Sequence, residues 1–284
     1  MSKIIVMPSN KEEMLDLIND VDGFLIGLKD MSINMPTYFS LFDIKEINEL
    51  LKEKNKELFV SLNRNFHNND LKYLKEVLKE FEEYKIDGVF YYDVALINLK
   101  QELNLKLNLV FSEEHSVTNY ATINYWNMMG AEMAYLSNEI TLDEIIDIKR
   151  NSNSKLFVQV FGYIPIFASE RKLITNYLKS FNIEDESLKY HIEKENKEYR
   201  ILENKYNTEV YSNYILNAID LIEKLKEIDI EYLIFNSFDI DKNIFIYIIK
   251  NKDVITSNDI DKMFNNTSKG FLYKETIYKV KNYE

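Results

Sequence analysis

The chain has 284 residues, 46% hydrophobic and 29% charged, enough for a sizeable core in one large α/β domain or two smaller ones. Lys plus Arg number 35 against 47 Asp plus Glu, a net charge of −12 that disfavours nucleic-acid or anionic-membrane binding, since both require basic surface. There is no cysteine, which excludes disulfides, CxxC zinc sites, thiol nucleophiles and cysteine-held iron–sulfur clusters in this chain.

The opening MSKIIVMPSNKEEM has an apolar run of only four residues, Ile4 to Met7, too short for a signal-peptide core. No stretch approaches the roughly 20 apolar residues of a bilayer span, so a cytoplasmic protein without membrane contact is expected. Short apolar, β-rich runs follow at Lys3–Met7, Phe24–Leu28, Glu57–Leu62, Gly88–Tyr92, Leu107–Phe111, Met133–Leu136, Leu156–Phe161 and Tyr232–Phe235. Most are continuous rather than alternating, as in parallel strands covered on both faces. Between them lie helical periods, such as Ile44, Ile47, Leu50 and Leu51, or Leu71, Leu74, Val77, Leu78 and Phe81. Ser9 with Glu12, Asp43 with Glu46, and Thr141 with Glu144 match the spacing of helix-starting capping boxes.

Eight strands with interleaved helices predict a TIM-type (β/α)8 barrel. The open alternative lacks its glycine-rich phosphate turn, because Met7-Pro8-Ser9-Asn10 follows the first strand. Residues 1–284 are therefore read as one barrel domain. Within it, 162–231 form a rim insertion after strand seven. The insertion is expected to hold an apolar, Pro-bearing loop (Tyr163 to Ala168) and a charged stretch (Glu184 to Arg200). A hairpin is expected around Ile201–Glu203 and Glu209–Tyr211, then a helix through Leu216, Ile219, Ile222 and Leu225. A closing helix is predicted at Asn243–Lys250.

In order and spacing, Phe24–Lys29 (FLIGLK), Leu58–Asn63 (LFVSLN), Gly88–Asp93 (GVFYYD), Ser116–Asn119 (SVTN) and Phe161–Pro165 (FGYIP) resemble the peptidase U32 family. Asn207–Asn213 (NTEVYSN) and Ile228–Phe235 (IDIEYLIF) extend the resemblance over most of the chain. The resemblance implies a TIM-type barrel and a nominal peptide hydrolase. It also implies relatives that hydroxylate quinone precursors or RNA bases, some through cysteine-bound iron–sulfur clusters. In the family signature after strand seven, Gly162 keeps the first glycine and Thr175 replaces Ser. Phe157 stands for Glu, Gln159 for Phe, Phe161 for a frequent His, Glu170 for the second glycine, and Pro165 and Lys172 for the cysteines. The alternatives to a hydrolase are a non-catalytic accessory or ligand-binding barrel, as a homo-oligomer or beside a cysteine-bearing paralogue, and a cluster-free relative of the U32 hydroxylases acting on RNA or a quinone precursor, which the net charge disfavours.

Polar residues at C-terminal strand ends face the mouth of such a barrel. Glu113, His115 and Asp93 are the candidate acid/base groups, a carboxylate beside imidazole being suited to proton transfer near neutral pH. Lys29, Asn63, Arg64, His67, Glu139 and Asn236 are candidate contacts for a peptide or small-molecule ligand. The Glu113-Glu114-His115 run could take a divalent metal with His67 or Asp93. Yet no HExxH occurs and the chain has three histidines, so no metal and no cofactor is assigned.

Overall fold

The structure, a computed structural model, describes residues 2–113, 115–185 and 187–274. In chain order its strands are β1 (Lys3–Met7), β2 (Gly23–Leu28), β3 (Tyr38–Phe39), β4 (Glu57–Ser61), β5 (Gly88–Tyr91), β6 (Leu109–Phe111), β7 (Met133–Tyr135), β8 (Lys155–Ser169), β9 (Lys189–Lys194), β10 (Lys197–Glu203), β11 (Thr208–Asn217), β12 (Tyr232–Asn236) and β13 (Thr267–Ser268). The helices are α1 (Lys11–Leu17), α2 (Leu41–Glu53), α3 (Leu71–Tyr84), α4 (Ala95–Glu102), α5 (Tyr120–Met129), α6 (Leu142–Asn151), α7 (Leu173–Ser180), α8 (Ile222–Glu227), α9 (Lys242–Lys250) and α10 (Ser257–Met263).

Strands β1, β2, β4, β5, β6, β7, β8 and β12 pair in parallel, and β12 closes the ring by pairing with both β8 and β1. This is a TIM-type barrel. Its strands read as continuous apolar runs because both faces are buried. In β1, Ile4 and Val6 face the helices while Ile5 and Met7 face the interior. The interior is closed by aromatic packing. Phe157 stacks on Tyr232 with ring centroids 4.1 Å apart, and Phe59 and Phe90 meet Phe157 edge-on at 5.0 and 4.9 Å. With the lumen filled, a ligand can enter only above this layer, at the C-terminal mouth.

Of the three expected helix starts, Thr141 stands as expected: its hydroxyl accepts the Glu144 N–H and the Glu144 carboxylate accepts the Thr141 N–H. The others are shifted. Ser40 pairs with Asp43 rather than Asp43 with Glu46, and Asn10 accepts the Glu13 N–H while Glu13 reaches back to Ser9. More than one cap-competent residue stands close by at each place, Ser9 beside Asn10 and Ser40 three residues before Asp43. The chain direction set by packing decides which one takes the extended backbone of the cap.

The insertion is an antiparallel extension of the barrel's own sheet, growing from the rim. β8 is 15 residues long and runs past the barrel to pair with β11, which pairs with β10, and β10 with β9. The expected loop at 163–168 is therefore strand. Pro165 is tolerated because the ladder slips on both sides of its partner Tyr211. The predicted hairpin is present, with Ile201 opposite Val210 and Glu203 opposite Thr208. Leu216 belongs to β11 rather than to a helix, and the helical turns begin at Ile219. The closing helix falls at Lys242–Lys250. No helix of the described residues is long and apolar enough to cross a membrane.

Candidate functional site at the barrel mouth

The strand ends converge on a cavity of about 270 Å³. Its floor is Met7, Leu25 and Phe90, which cap the packed lumen. Five carboxamides line it: Asn34, Asn63, Asn65, Gln159 and Asn236. Tyr92, Tyr135 and Phe167 add aromatic surface, and Glu113 and His115 are its only ionisable acid and imidazole among the described residues. No Lys or Arg among them lines it.

Several of these amides are already fixed. Asn63 accepts the Ile33 N–H at 2.9 Å, and Asn236 donates to the Tyr163 carbonyl at 3.2 Å while accepting the Phe238 N–H at 2.9 Å. Gln159 accepts the Tyr135 hydroxyl at 2.9 Å and donates toward the Tyr163 carbonyl at 3.1 Å. Such locked rotamers give a preformed wall. Glu113 is half-buried at the end of β6, and its Oε2 is sealed from solvent with no hydrogen-bond partner. His115 is exposed, its Nδ1 3.7 Å from Glu139 Oε2. Glu114 lies outside the described residues. Burial, together with the Asp93, Glu170 and Glu113 charges, pushes the Tyr92 phenol up to about 12, so it stays a protonated donor.

The remaining expected residues are placed elsewhere. Both Asp93 oxygens are taken by backbone, accepting from Phe66 at 2.8 Å and Ala95 at 2.9 Å, so it splints the loop after β4 to the start of α4. Arg64 donates to the Asp30 carbonyl at 2.8 Å, pairs with Asp70 at 3.1 Å, and lies against the rings of Phe66 and Tyr206. With His67 it lines a side cavity of about 360 Å³ that shares Ile33, Asn65, Tyr92 and Ala168 with the mouth. His67 is exposed, 4.0 Å from Glu170. Lys29 is exposed and lines neither cavity.

Sequence reading missed Glu209. It is 1% exposed on β11, and its Oε1 accepts from the Asn34 N–H (3.1 Å), Asn204 Nδ2 (3.0 Å) and Asn207 Nδ2 (2.9 Å). The Tyr38 hydroxyl lies 3.5 Å from the same oxygen, and the Tyr211 hydroxyl donates to Oε2 at 3.0 Å. Burial raises its pKa, and these donors oppose the rise. The available signal was the NTE run at the hairpin turn, where two polar residues flank a carboxylate.

The cysteine positions of the family signature hold Pro165, paired within the sheet, and Lys172, whose ammonium contacts the Asn204 carbonyl. A cysteine-held cluster therefore does not fit this chain, and the described residues hold no group of three His, Asp or Glu that could bind a metal ion.

The family model for peptidase family U32 matches residues 11–245. The chain belongs to peptidase family U32. Within U32, a tRNA hydroxylation protein P2 of Bacillus subtilis (strain 168) is 29% identical over 238 residues, covering 81% of this chain and 77% of that one. The tRNA hydroxylation protein P of Escherichia coli (strain K12) is 30% identical over 125 residues, 43% of this chain and 27% of its own length. An uncharacterized protease of Methanocaldococcus jannaschii is 27% identical over 184 residues, and this chain spans 44% of it. The solved structure of the U32 peptidase Mk0906 superposes with a TM-score of 0.55 at 13% identity, covering 83% of this chain and 92% of that one, which shows the shared fold.

Proposed function

We propose that this U32 barrel serves in tRNA hydroxylation, with its mouth receiving a base turned out of the RNA. The observation that carries the reading is the lining of the mouth: carboxamides and rings, with no Lys or Arg among the described residues. Carboxamides match the donor and acceptor edges of bases, and aromatic rings stack on them. A cation-free wall suits a neutral heterocycle rather than a carboxylate or phosphate. The name of the Bacillus relative, similar over four-fifths of this chain, selects tRNA among the carriers of such a base.

Glu113 then accepts an N–H of the base, and Asn63, Gln159 and Asn236 frame the slot. His115, beside Glu139, stands at the entrance as the proton-transfer group. The charge of −12 makes this chain a poor holder of the RNA backbone by itself. The basic surface and the redox step are accordingly assigned to a cysteine-bearing partner. Peptide hydrolysis has less support. Among the described residues the mouth offers a single carboxyl, and the Ser112 hydroxyl donates to the Tyr91 carbonyl rather than to a base.

The test is deletion of the gene in its own host, followed by digestion of bulk tRNA and nucleoside mass spectrometry. A nucleoside carrying one added oxygen should vanish, return with the wild-type gene, and return weakly with Glu113→Gln. An unchanged nucleoside profile would refute the assignment.

A further inference from the structure

Glu209 belongs to the insertion, yet it reaches across 175 residues of sequence to the loop between β2 and β3, which walls the mouth. That loop carries Asn34 in left-handed backbone, φ +56°, and the Asn34 Oδ1 is sealed from solvent with no hydrogen-bond partner. Met35, the next residue, is anchored in the barrel interior, and its N–H donates at 3.3 Å to the Tyr38 hydroxyl that also contacts Glu209. No ion pair among the described residues engages Glu209. Its carboxyl group is surrounded by neutral donors, two of them carboxamides of the hairpin turn.

We propose that Glu209 is a positioning residue: by accepting the Asn34 N–H it fixes that residue in its left-handed conformation and presents the Asn34 carboxamide to the ligand of the mouth. The choice of a carboxylate follows from the donors around it. Five donors converge on its two oxygens, and removing the side chain would leave the Asn34 N–H buried and unpaired, whereas a glutamine can keep its oxygen on Asn34 and turn its NH₂ to the Tyr211 hydroxyl, which accepts. The insertion is thereby part of the binding site without lining it at this residue. Asn34, which lines the mouth, becomes a reader of the ligand's polar edge. The proposal rests on the base-pocket reading of the mouth, and the experiment separates the two.

The experiment uses the full chain as wild type, Glu209→Ala, Asn34→Gly and the double variant. Glycine keeps both the N–H and the positive φ while deleting the carboxamide. Amide exchange should quicken about tenfold or more at Asn34 in Glu209→Ala, with Ile5 and Val6 of β1 unchanged, and stay near wild type in Asn34→Gly. Binding of adenosine, guanosine, cytidine and uridine is measured in parallel by calorimetry. Each single variant should weaken the best-bound nucleoside about tenfold, and the double variant should weaken it no further, because both remove one interaction. Multiplied losses in the double variant, or unaltered exchange at Asn34 in Glu209→Ala, would overturn the proposal. Should Glu209→Ala fail to fold, Glu209→Asp replaces it, its shorter carboxylate withdrawn from the Asn34 N–H: faster Asn34 exchange supports the linkage and unchanged exchange overturns it. If no nucleoside binds wild type, the base-pocket reading falls, while the exchange data still decide whether Glu209 holds Asn34.

Discussion

Gly162 marks the point where β8 leaves the barrel for the insertion, and replacing it by alanine isolates a steric demand of the fold. Its φ is +110°, and an added Cβ would lie 2.2 Å from the Asn236 carbonyl oxygen and 2.8 Å from the Asn236 Cβ. Gly130 supplies the control. Its φ is +109°, and a Cβ there would meet nothing within 4 Å. Gly130→Ala thus measures dihedral strain alone, about 1–2 kcal/mol. Gly162→Ala carries the same strain plus a clash with backbone that cannot rotate away, about 2–3 kcal/mol more. At about 2.1 cal/mol/K of unfolding entropy per residue, each kcal/mol shifts Tm by about 1.7 °C for a chain of 284 residues. Thermal melts followed by circular dichroism should show a drop of about 2–3 °C for Gly130→Ala and about 5–8 °C for Gly162→Ala. Equal losses at the two positions would refute the claim that β8 and β12 approach too closely for a side chain.

Phe59→Ala should cost about 3–5 kcal/mol in urea unfolding, because Phe59 meets the rings of Phe90, Phe157 and Tyr232 inside the lumen; a loss below about 1 kcal/mol would mean the lumen is not packed. Thr141→Ala should cost about 1 kcal/mol by opening the box at the start of α6, again read from urea midpoints. Glu203 governs an acid-dependent term. Burial raises its pKa, but the Thr175 hydroxyl and the Thr175 and Ile174 N–H groups at the start of α7, with Lys172 nearby, carry it below the ordinary 4.5. A folded-state pKa below the unfolded one gives stability that is complete above 4.5 and lost as pH falls through the lowered value. Glu203→Gln should therefore be less stable than wild type at pH 7 and show a shallower acid decline; parallel decline of the two proteins would remove Glu203 from the acid response.

The barrel strands were legible because each is apolar on both faces, a pattern that survives in any local window. The mouth was legible in part for the same reason: Asn63, Glu113, His115 and Asn236 follow strand ends and do line the cavity. Lys29 and Asp93 occupy equivalent sequence positions, but the first points to solvent and the second spends both oxygens on backbone N–H groups. Which way a polar side chain turns at a strand end depends on the donors of the neighbouring loop, and those come from another unit of the barrel. The loop expected at 163–168 misled for a related reason. Proline argues against a central strand, and the slipped ladder opposite Tyr211 that accommodates Pro165 is made by residues some 46 positions away.

By itself the chain determined its eight parallel strands, its interleaved helices, its hairpin after strand seven and the absence of any thiol chemistry, since these follow from periodicity, short-range capping and composition. Only the tertiary structure decided that Glu209 buries its carboxylate against Asn34, that Arg64 is committed to Asp70 and to the Asp30 carbonyl, and that Phe157 seals the lumen below the mouth. The physical reason is range. Hydrophobic alternation and caps act over a few residues, whereas the worth of a buried polar group is set by partners that folding brings from far along the chain.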